Sequence, residues 1–231
     1  MTGIRDVTPA AGLDEDAVVA LREILEEPSL AVTTTVEGPD GPRLARLREA
    51  LDHLVTIRAG AATIRSPEAG RRLLTSLDAL DPGLAEVLRR HVTAVDLLLT
   101  LAPGRARNAV LGDVGRGDLV TLASGVRTWA WSGGAAPGPA QPLRTAHGEI
   151  ETADAPGLYD TVLAHSPGIG GLIAIPTHRR GVSWRHADDD AASPTWVVTL
   201  AGATFHTDDL IPLDRGPISH GKWRDQARPR P

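Results

Sequence analysis

The spacing of apolar residues changes once along this chain, close to the glycine-rich segment GDVGRGD at residues 112–118. Before this segment, leucine, valine and alanine recur every three or four residues, which is the period of an amphipathic helix. After it, the period falls toward two, and glycine and proline interrupt the chain every few residues, as in an antiparallel sheet with tight connections. The sequence therefore predicts an α+β fold in which all the helices come first.

Proline and capping residues indicate where the predicted helices begin. Pro42, Pro67 and Pro82 stand where a first helical residue is expected, and Ser66 and Asp81 precede two of them as N-caps. Helices are expected near residues 14–27, 42–55, 66–77, 81–101 and 105–111. In the second part of the chain, strands are expected at residues 119–123, 126–131, 158–164, 171–175, 182–185 and 196–200.

Composition excludes several classes of function. The 231 residues carry a formal net charge of -5, so no overall positive field would attract nucleic acid. Cysteine is absent, which rules out disulfides, thiolate nucleophiles and cysteine-ligated metals. No apolar run reaches the roughly 20 residues of a membrane helix, and the N-terminus lacks the layout of a signal peptide. We therefore expect a cytoplasmic protein with neither membrane nor nucleic-acid partners.

Two of the five tryptophans stand two residues apart in the segment TWAWSGGAAPG at residues 128–138. Side chains alternate along a strand, so Trp129 and Trp131 are expected to point to the same face. They would either offer a stacking surface for a ring or fill the core of the β-domain, and filling is favoured because core aromatic positions are commoner. Gly133 and Gly134 follow, and a glycine turn can present N–H groups to a phosphate, but the segment lacks the spacing of a phosphate loop.

Other polar residues are candidates for a site, and each also has a structural interpretation. His165 follows an apolar strand and is the best placed general base, whereas His91 lies on the apolar face of a helix. The segment His206-x-Asp208-Asp209 has donor types that metals accept, but it ends a predicted strand and we interpret it as structural. No metal site and no catalytic residue is therefore assigned.

Adjacent arginines form a further candidate site. Arg179 and Arg180 would receive a phosphate well, because a guanidinium group can bind two phosphate oxygens at once. Basic residues of the C-terminal arm could do the same: Arg215, Lys222, Arg224, Arg228 and Arg230. Solvated charges in a turn and a tail explain these residues equally well.

Three segments, taken in order, resemble the acyl-CoA dehydrogenase family. RNAVLGDVGRGDLVTLA at residues 107–123 is similar to the turn that leads from the family's N-terminal helices into its middle domain. LYDTVLAHSPGIGGLIAIPTHRRGVSWR at 158–185 resembles two strands of that domain, and LAGATFHTDDLI at 200–211 resembles its closing strand. The resemblance covers roughly residues 14–212 and implies an N-terminal helical domain at 1–115, an antiparallel β-barrel domain at 116–212 and an extended arm at 213–231.

Members of that family bind FAD, and the resemblance locates the corresponding segments in this chain. The family's T-E-P-x-x-G-S-D-like loop corresponds to SGVRTWAWSGGAAPG, which implies Trp129, Trp131, Ser132, Gly133 and Gly134 as cofactor-side residues. Its W-[IS]-[TS]-[NG] segment corresponds to residues 149–154, where no tryptophan occurs. Both segments depart from the family pattern. The resemblance thus implies a flavoprotein fold, while the departures predict little or no FAD on the isolated chain.

In the family, a C-terminal helical bundle supplies the catalytic glutamate, closes the acyl-CoA site and makes most subunit contacts. The sequence stops before such a bundle, so we expect a truncated family-like chain. Three functions stay open. The first is a subunit or partner of a chain that supplies the catalytic helices, which acts on or binds an acyl thioester; the expected assembly is a homo-oligomer or a hetero-oligomer with the chain that carries those helices. The others are an FAD-dependent oxidoreductase half with altered flavin motifs, and a non-redox binding protein or cyclase of a biosynthetic pathway.

Overall fold

The computed structural model describes residues 15–26, 41–56, 67–132, 143–166, 170–187, 196–206 and 209–213. These residues form five α-helices, eight strands and one short 3₁₀ turn, so the predicted α+β fold is confirmed. The chain divides into two compact units, Met1–Val92 and Thr93–Pro231. The division falls within a helix, and the predicted domain limit near residue 115 stays a prediction. Of the predicted arm, Leu213 alone lies within the described residues.

Helices make up the described part of the first unit. They are α1 (Glu15–Glu26), α2 (Gly41–Thr56), α3 (Pro67–Leu80) and the first half of α4 (Pro82–Thr100). Asp81 caps α4 as predicted, because its Oδ1 accepts a hydrogen bond of 2.9 Å from the Leu84 backbone N–H. Leu21, Leu51 and Leu77 are at most 1% exposed, so α1, α2 and α3 each bury an apolar face.

The second unit begins with the end of α4, which is followed by α5 (Arg105–Arg116). α5 ends at Gly117, which has a φ of 118° and donates its N–H to the carbonyls of Asp113 and Val114. Glycine adopts this left-handed conformation without the steric cost that other residues incur. The glycine cluster that marks the change of period in the sequence is therefore the end of the last helix. None of the helices in the described ranges has the length and hydrophobicity needed to cross a bilayer.

Two four-stranded sheets follow α5. The first has the order β1 (Val120–Leu122), β4 (Thr161–Ser166), β5 (Gly171–Pro176) and β8 (Leu210–Pro212). The second has the order β2 (Gly125–Trp131), β3 (Leu143–Thr152), β7 (Trp196–His206) and β6 (Val182–His186). All neighbouring strands are antiparallel except β1 and β4, which are parallel.

The expected closed barrel is not found among the described strands. No strand ladder joins the two sheets, and a two-residue link between β1 and β2 shows how they separate. The Ala123 N–H donates to Leu163 O in the first sheet at 2.8 Å, and the Ser124 N–H donates to Glu151 O in the second at 2.7 Å. The chain therefore changes sheet after three residues of β1.

The strands differ from the apolar pattern at three places. The pattern does not predict β3, because its inward positions are Ala146, Gly148 and Ile150, and a glycine and an alanine add little apolar signal. β7 continues to His206, beyond the predicted end at residue 200, and β8 was expected only as part of a closing segment. β4 begins three residues after the predicted start, since Pro156–Leu158 form the 3₁₀ turn.

Apolar side chains cover both faces of the first sheet. Its outer face packs against the end of α4 and against α5, through Ala94, Val95, Leu98, Ala106, Val110, Val120, Leu163, Leu172, Ala174 and Ile211. Its inner face packs against the second sheet, through Ala146, Ile150, Val162, Ala164, Ile173, Ile175, Val198, Leu200, Ala203 and Phe205. The outer face of the second sheet is mainly polar, and this is the face that carries the candidate site.

Candidate functional site

Trp129 and Trp131 lie on β2 with their rings against the core between the sheets. Their partners on β3 are Gly148 and Ala146, which point inward, so both rings lie on the inner face as the alternation predicts. The ring centroids are 5.4 Å apart in an edge-to-face arrangement, and Trp131 makes a similar contact with Phe205 at 6.3 Å. Both side chains are half-buried. The pair thus extends the core toward the edge strand.

The polar atoms of the tryptophan pair are buried without a hydrogen-bond partner in the described part of the chain. This holds for the Nε1 atoms of Trp129 and Trp131, and for Nε of Arg144 on the same face of β3. Ser132 is engaged, because its N–H donates to Thr145 O at 2.8 Å and its Oγ lies 2.9 Å from Nε2 of His147. The other two predicted cofactor-side residues, Gly133 and Gly134, lie outside the described residues.

The second predicted flavin segment, residues 149–154, already uses its polar groups within the chain. Glu149 lies 3.5 Å from Arg185, and Glu151 accepts a hydrogen bond of 2.6 Å from Nε of Arg127. The Thr152 hydroxyl donates to Asp154 O, and the Asp154 carboxylate accepts from the Tyr159 hydroxyl, both at 2.8 Å. The segment therefore presents carboxylates with established partners rather than free donors for a flavin.

An open groove of about 740 Å³ lies on the outer face of β7, beside the turn between β5 and β6. Two glycines with positive φ shape it: Gly181 in the turn (80°) and Gly202 in β7 (76°). The β3–β7 register shifts opposite Gly202, so this residue forms a bulge. A Cβ at Gly181 would lie 3.0 Å from Ala201 O and from Ala203 N. The residues that line the groove are Arg179, Arg180, Gly181, Ala201, Gly202, Thr204, His206 and Asp209.

Arg179 and Asp209 form the fixed part of the groove. Arg179 donates through Nη1 to Asp209 Oδ2 at 2.9 Å and to Thr204 O at 3.1 Å, and its guanidinium lies 5.0 Å from the centre of the Phe205 ring. Asp209 also accepts the His206 backbone N–H at 2.8 Å. These bonds tie the β5–β6 turn to the end of β7. The structural interpretation of His206 and Asp209 is thereby supported, while Asp208 lies outside the described residues.

Arg180, next to this pair, has an exposed side chain and no ion pair or hydrogen bond within the described residues. The guanidinium of Arg179 neutralises the Asp209 carboxylate, whereas Arg180 is a charge of the groove that has no partner among the described residues. The two adjacent arginines that the sequence singles out therefore both line the groove, but Arg179 is held in an ion pair and Arg180 is exposed. The sequence does not reveal the glycines of the floor or Thr204, although a glycine inside a strand pattern is a known sign of a bulge.

The remaining candidate residues lie away from the groove lining. His91 is 3% exposed on α4, and His165 is half-buried on β4. Among the described residues, no three His, Asp or Glu side chains are grouped so as to hold a metal ion.

Comparison with known proteins identifies the architecture. No protein-family model matches the sequence, and no curated protein matches it significantly. A glutaryl-CoA dehydrogenase from Mycobacterium smegmatis, solved with FADH2, superposes with a TM-score of 0.53 at 13% identity, over 93% of this chain and 60% of that chain. A probable acyl-CoA dehydrogenase from Mycobacterium abscessus gives a TM-score of 0.55 at 14% identity, over 94% and 64%. The fold is that of the acyl-CoA dehydrogenases.

A complex of two proteins has the same acyl-CoA dehydrogenase fold. The ChsE4-ChsE5 complex from Mycobacterium tuberculosis superposes with a TM-score of 0.53 at 15% identity, over 93% of this chain and 60% of that chain. The present chain thus spans about three fifths of the length of these structures. At this level of identity, the acyl-CoA dehydrogenase likeness concerns the fold alone.

Proposed function

We propose that the chain forms the helical and β-sheet part of an acyl-CoA dehydrogenase-like assembly and binds an acyl thioester. The observation that carries this proposal is the superposition of about 93% of the chain on solved acyl-CoA dehydrogenases. Glutaryl-CoA dehydrogenase, one of these structures, is named for a coenzyme A thioester. The open groove beside Arg180 supports the proposal, since it combines nucleotide-sized space with a positive charge.

The proposal includes a partner that supplies the catalytic helical bundle. The chain spans about three fifths of the solved structures, one of which is a complex of two different proteins, ChsE4 and ChsE5. A different chain fits this role, and a homo-oligomer is the alternative assembly. The mass of the native assembly, measured by light scattering, distinguishes a homo-oligomer from a hetero-oligomer and would exclude both if it equalled one chain. No group in the described residues is proposed as the base of a dehydrogenation.

FAD fits the described residues poorly, although the solved neighbours include complexes with FADH2 and with FAD. A flavin presents carbonyl and phosphate oxygens, which require hydrogen-bond donors. The segment at residues 149–154 instead presents Glu149, Glu151 and Asp154, each of which already has a donor within the chain. The indole N–H groups of Trp129 and Trp131 are free donors, but they are buried against the core. We therefore derive no step that uses the cofactor.

We expect the purified chain to carry little or no flavin. Its absorption spectrum should lack the flavin bands, and added FAD should be removed by gel filtration, because the predicted flavin segment offers paired carboxylates instead of free hydrogen-bond donors. A known flavin-loaded acyl-CoA dehydrogenase, treated in the same way, is the control. Stoichiometric flavin in the purified chain, or tight binding on reconstitution, would instead favour the FAD-dependent oxidoreductase half.

A non-redox binding protein or cyclase is the second candidate function. The observation that favours it is the set of ion pairs and hydrogen bonds that occupies the predicted flavin segment. The oligomeric state of the ligand-binding protein distinguishes this candidate from the first. A repurposed chain would bind its ligand as a monomer and would need no chain that carries a helical bundle.

A further inference from the structure

We propose that Arg180 anchors the phosphate group of a nucleotide-sized ligand in the groove on β7. The inference rests on the proposed function in naming the ligand's source: an acyl thioester carried by coenzyme A or by a phosphopantetheine arm brings such a phosphate. The groove itself is the observation, with a volume of about 740 Å³ and an arginine at its wall. Cavities of roughly 300–1,000 Å³ hold ligands of this size.

The charges that line the groove favour an anion. Asp209 is the one acid among the described residues that line the groove, and its carboxylate is neutralised by Arg179 and bonded to the His206 N–H. Arg180 adds a guanidinium whose five N–H groups have no acceptor among the described residues. A phosphate would therefore gain a charge-assisted, paired hydrogen bond at Arg180, for which none of the described carboxylates competes.

The other lining residues suit a ligand that lies close to the backbone. Gly181, Ala201 and Gly202 carry no side chain or a single methyl group, so the floor of the groove is largely main chain. Thr204 and His206 add side chains that can donate hydrogen bonds at one end. Arg179 already uses its guanidinium within the chain, because Asp209 and Thr204 O accept hydrogen bonds from it and it lies over the Phe205 ring.

The test is a calorimetric titration of the full chain with four probes: coenzyme A, 4′-phosphopantetheine, inorganic pyrophosphate and pantetheine. Coenzyme A and pyrophosphate should bind to the wild type, and Arg180→Ala should weaken both by about tenfold to a hundredfold, as expected for a lost charge-assisted hydrogen bond. Arg180→Lys should fall in between. Pantetheine, which has no phosphate, should bind weakly to every variant. 4′-Phosphopantetheine separates the two sources, since a carrier-protein arm requires that it bind as well as coenzyme A.

Two further variants serve as controls for Arg180→Ala. Arg116→Ala removes an exposed arginine at the end of α5, outside the groove, and should leave every affinity unchanged. Ala201→Phe fills the groove from an exposed position without removing a charge, and should weaken coenzyme A as strongly as Arg180→Ala does. The unfolding midpoint of each variant checks that it is folded.

The outcomes separate this inference from the proposed function. If coenzyme A binds equally to the wild type and to Arg180→Ala, the anchor is wrong while the thioester proposal stands. If pyrophosphate binding depends on Arg180 but coenzyme A does not bind, the phosphate site stands and the thioester proposal fails. If no phosphorylated probe binds to the wild type, or if Arg116→Ala weakens binding as much as Arg180→Ala, the inference is overturned.

Discussion

Replacing Trp131 by alanine should lower the free energy of unfolding by about 2–4 kcal/mol, and Trp129→Ala should have a similar effect. The rings contact each other, and Trp131 also contacts Phe205, so truncation leaves a space at the edge of the core between the sheets. The estimate lies below the full cost of a buried tryptophan because both side chains are half-buried. Chemical denaturation followed by circular dichroism measures the change.

Phenylalanine at the same positions separates filling from ligand binding. Trp129→Phe and Trp131→Phe keep most of the apolar ring and remove an indole N–H that has no acceptor in the described residues. They should therefore cost less than about 1 kcal/mol, because relief of an unsatisfied donor offsets part of the lost ring area. Near-native midpoints for both alanine variants would refute the filling role. A ligand whose binding is lost in the phenylalanine variants would show that the N–H groups serve recognition.

Gly148→Ala should destabilise the protein by about 2–3 kcal/mol, because its Cβ has no space between β2 and β3. The added carbon would overlap the carbonyl oxygen of Thr128 and lie 3.0 Å from Trp129 Cα, and Gly148 has a φ of 157°. Both obstacles are backbone atoms of the paired strand, so β2 would have to move away and take the tryptophan pair with it. The measurement is the midpoint of denaturation, together with the near-ultraviolet circular dichroism of the tryptophans.

Gly125→Ala is the matched control, on the same pair of strands. Its Cβ would meet only the end of the Glu151 side chain, at 3.0 Å, and that side chain can rotate. We expect a change within about 0.5 kcal/mol for this variant. Equal effects of the two substitutions would show that the close approach at Gly148 is not what limits the packing of β2.

Much of the fold follows from local sequence signals. Proline and capping residues place α2, α3 and α4 near their observed starts, as the Asp81 cap shows, and Gly117 ends α5 where the period changes. The same local signals do not predict β3, because Gly148 occupies an inner-face position where an apolar residue would otherwise indicate a strand. The closed barrel that the resemblance implies is not found among the described strands, and the parallel pairing of β1 with β4 joins residues 41 positions apart, as in Val120 with Thr161.

The site depends even more on distant pairing. The sequence singles out Arg179, Arg180 and His206, but it contains no sign that Asp209 neutralises Arg179 from 30 residues away. That contact pairs Asp209 with Arg179 rather than with Arg180, and it depends on the register of β7 with β6. The bulge at Gly202 and the turn glycine at Gly181 then create the space. The local sequence pattern identifies the charged residues as candidates, whereas the tertiary contacts determine which of them are paired within the chain.

The likeness to acyl-CoA dehydrogenases, at 13–15% identity, concerns the fold. At the predicted flavin segment, Glu151 pairs with Arg127 and Asp154 with Tyr159, so these carboxylates already have partners within the chain.

Thermal unfolding of the purified chain with butyryl-CoA and with FAD tests the central claim most directly. A ligand that binds the folded state alone stabilises it, by about 2.7 kcal/mol at a hundred times its dissociation constant, so the midpoint rises with ligand concentration. We predict a midpoint that rises steadily with the logarithm of the butyryl-CoA concentration above its dissociation constant, and no change with FAD at the same concentrations. A rise with FAD, or an unchanged midpoint with butyryl-CoA, would contradict a chain that binds an acyl thioester without flavin.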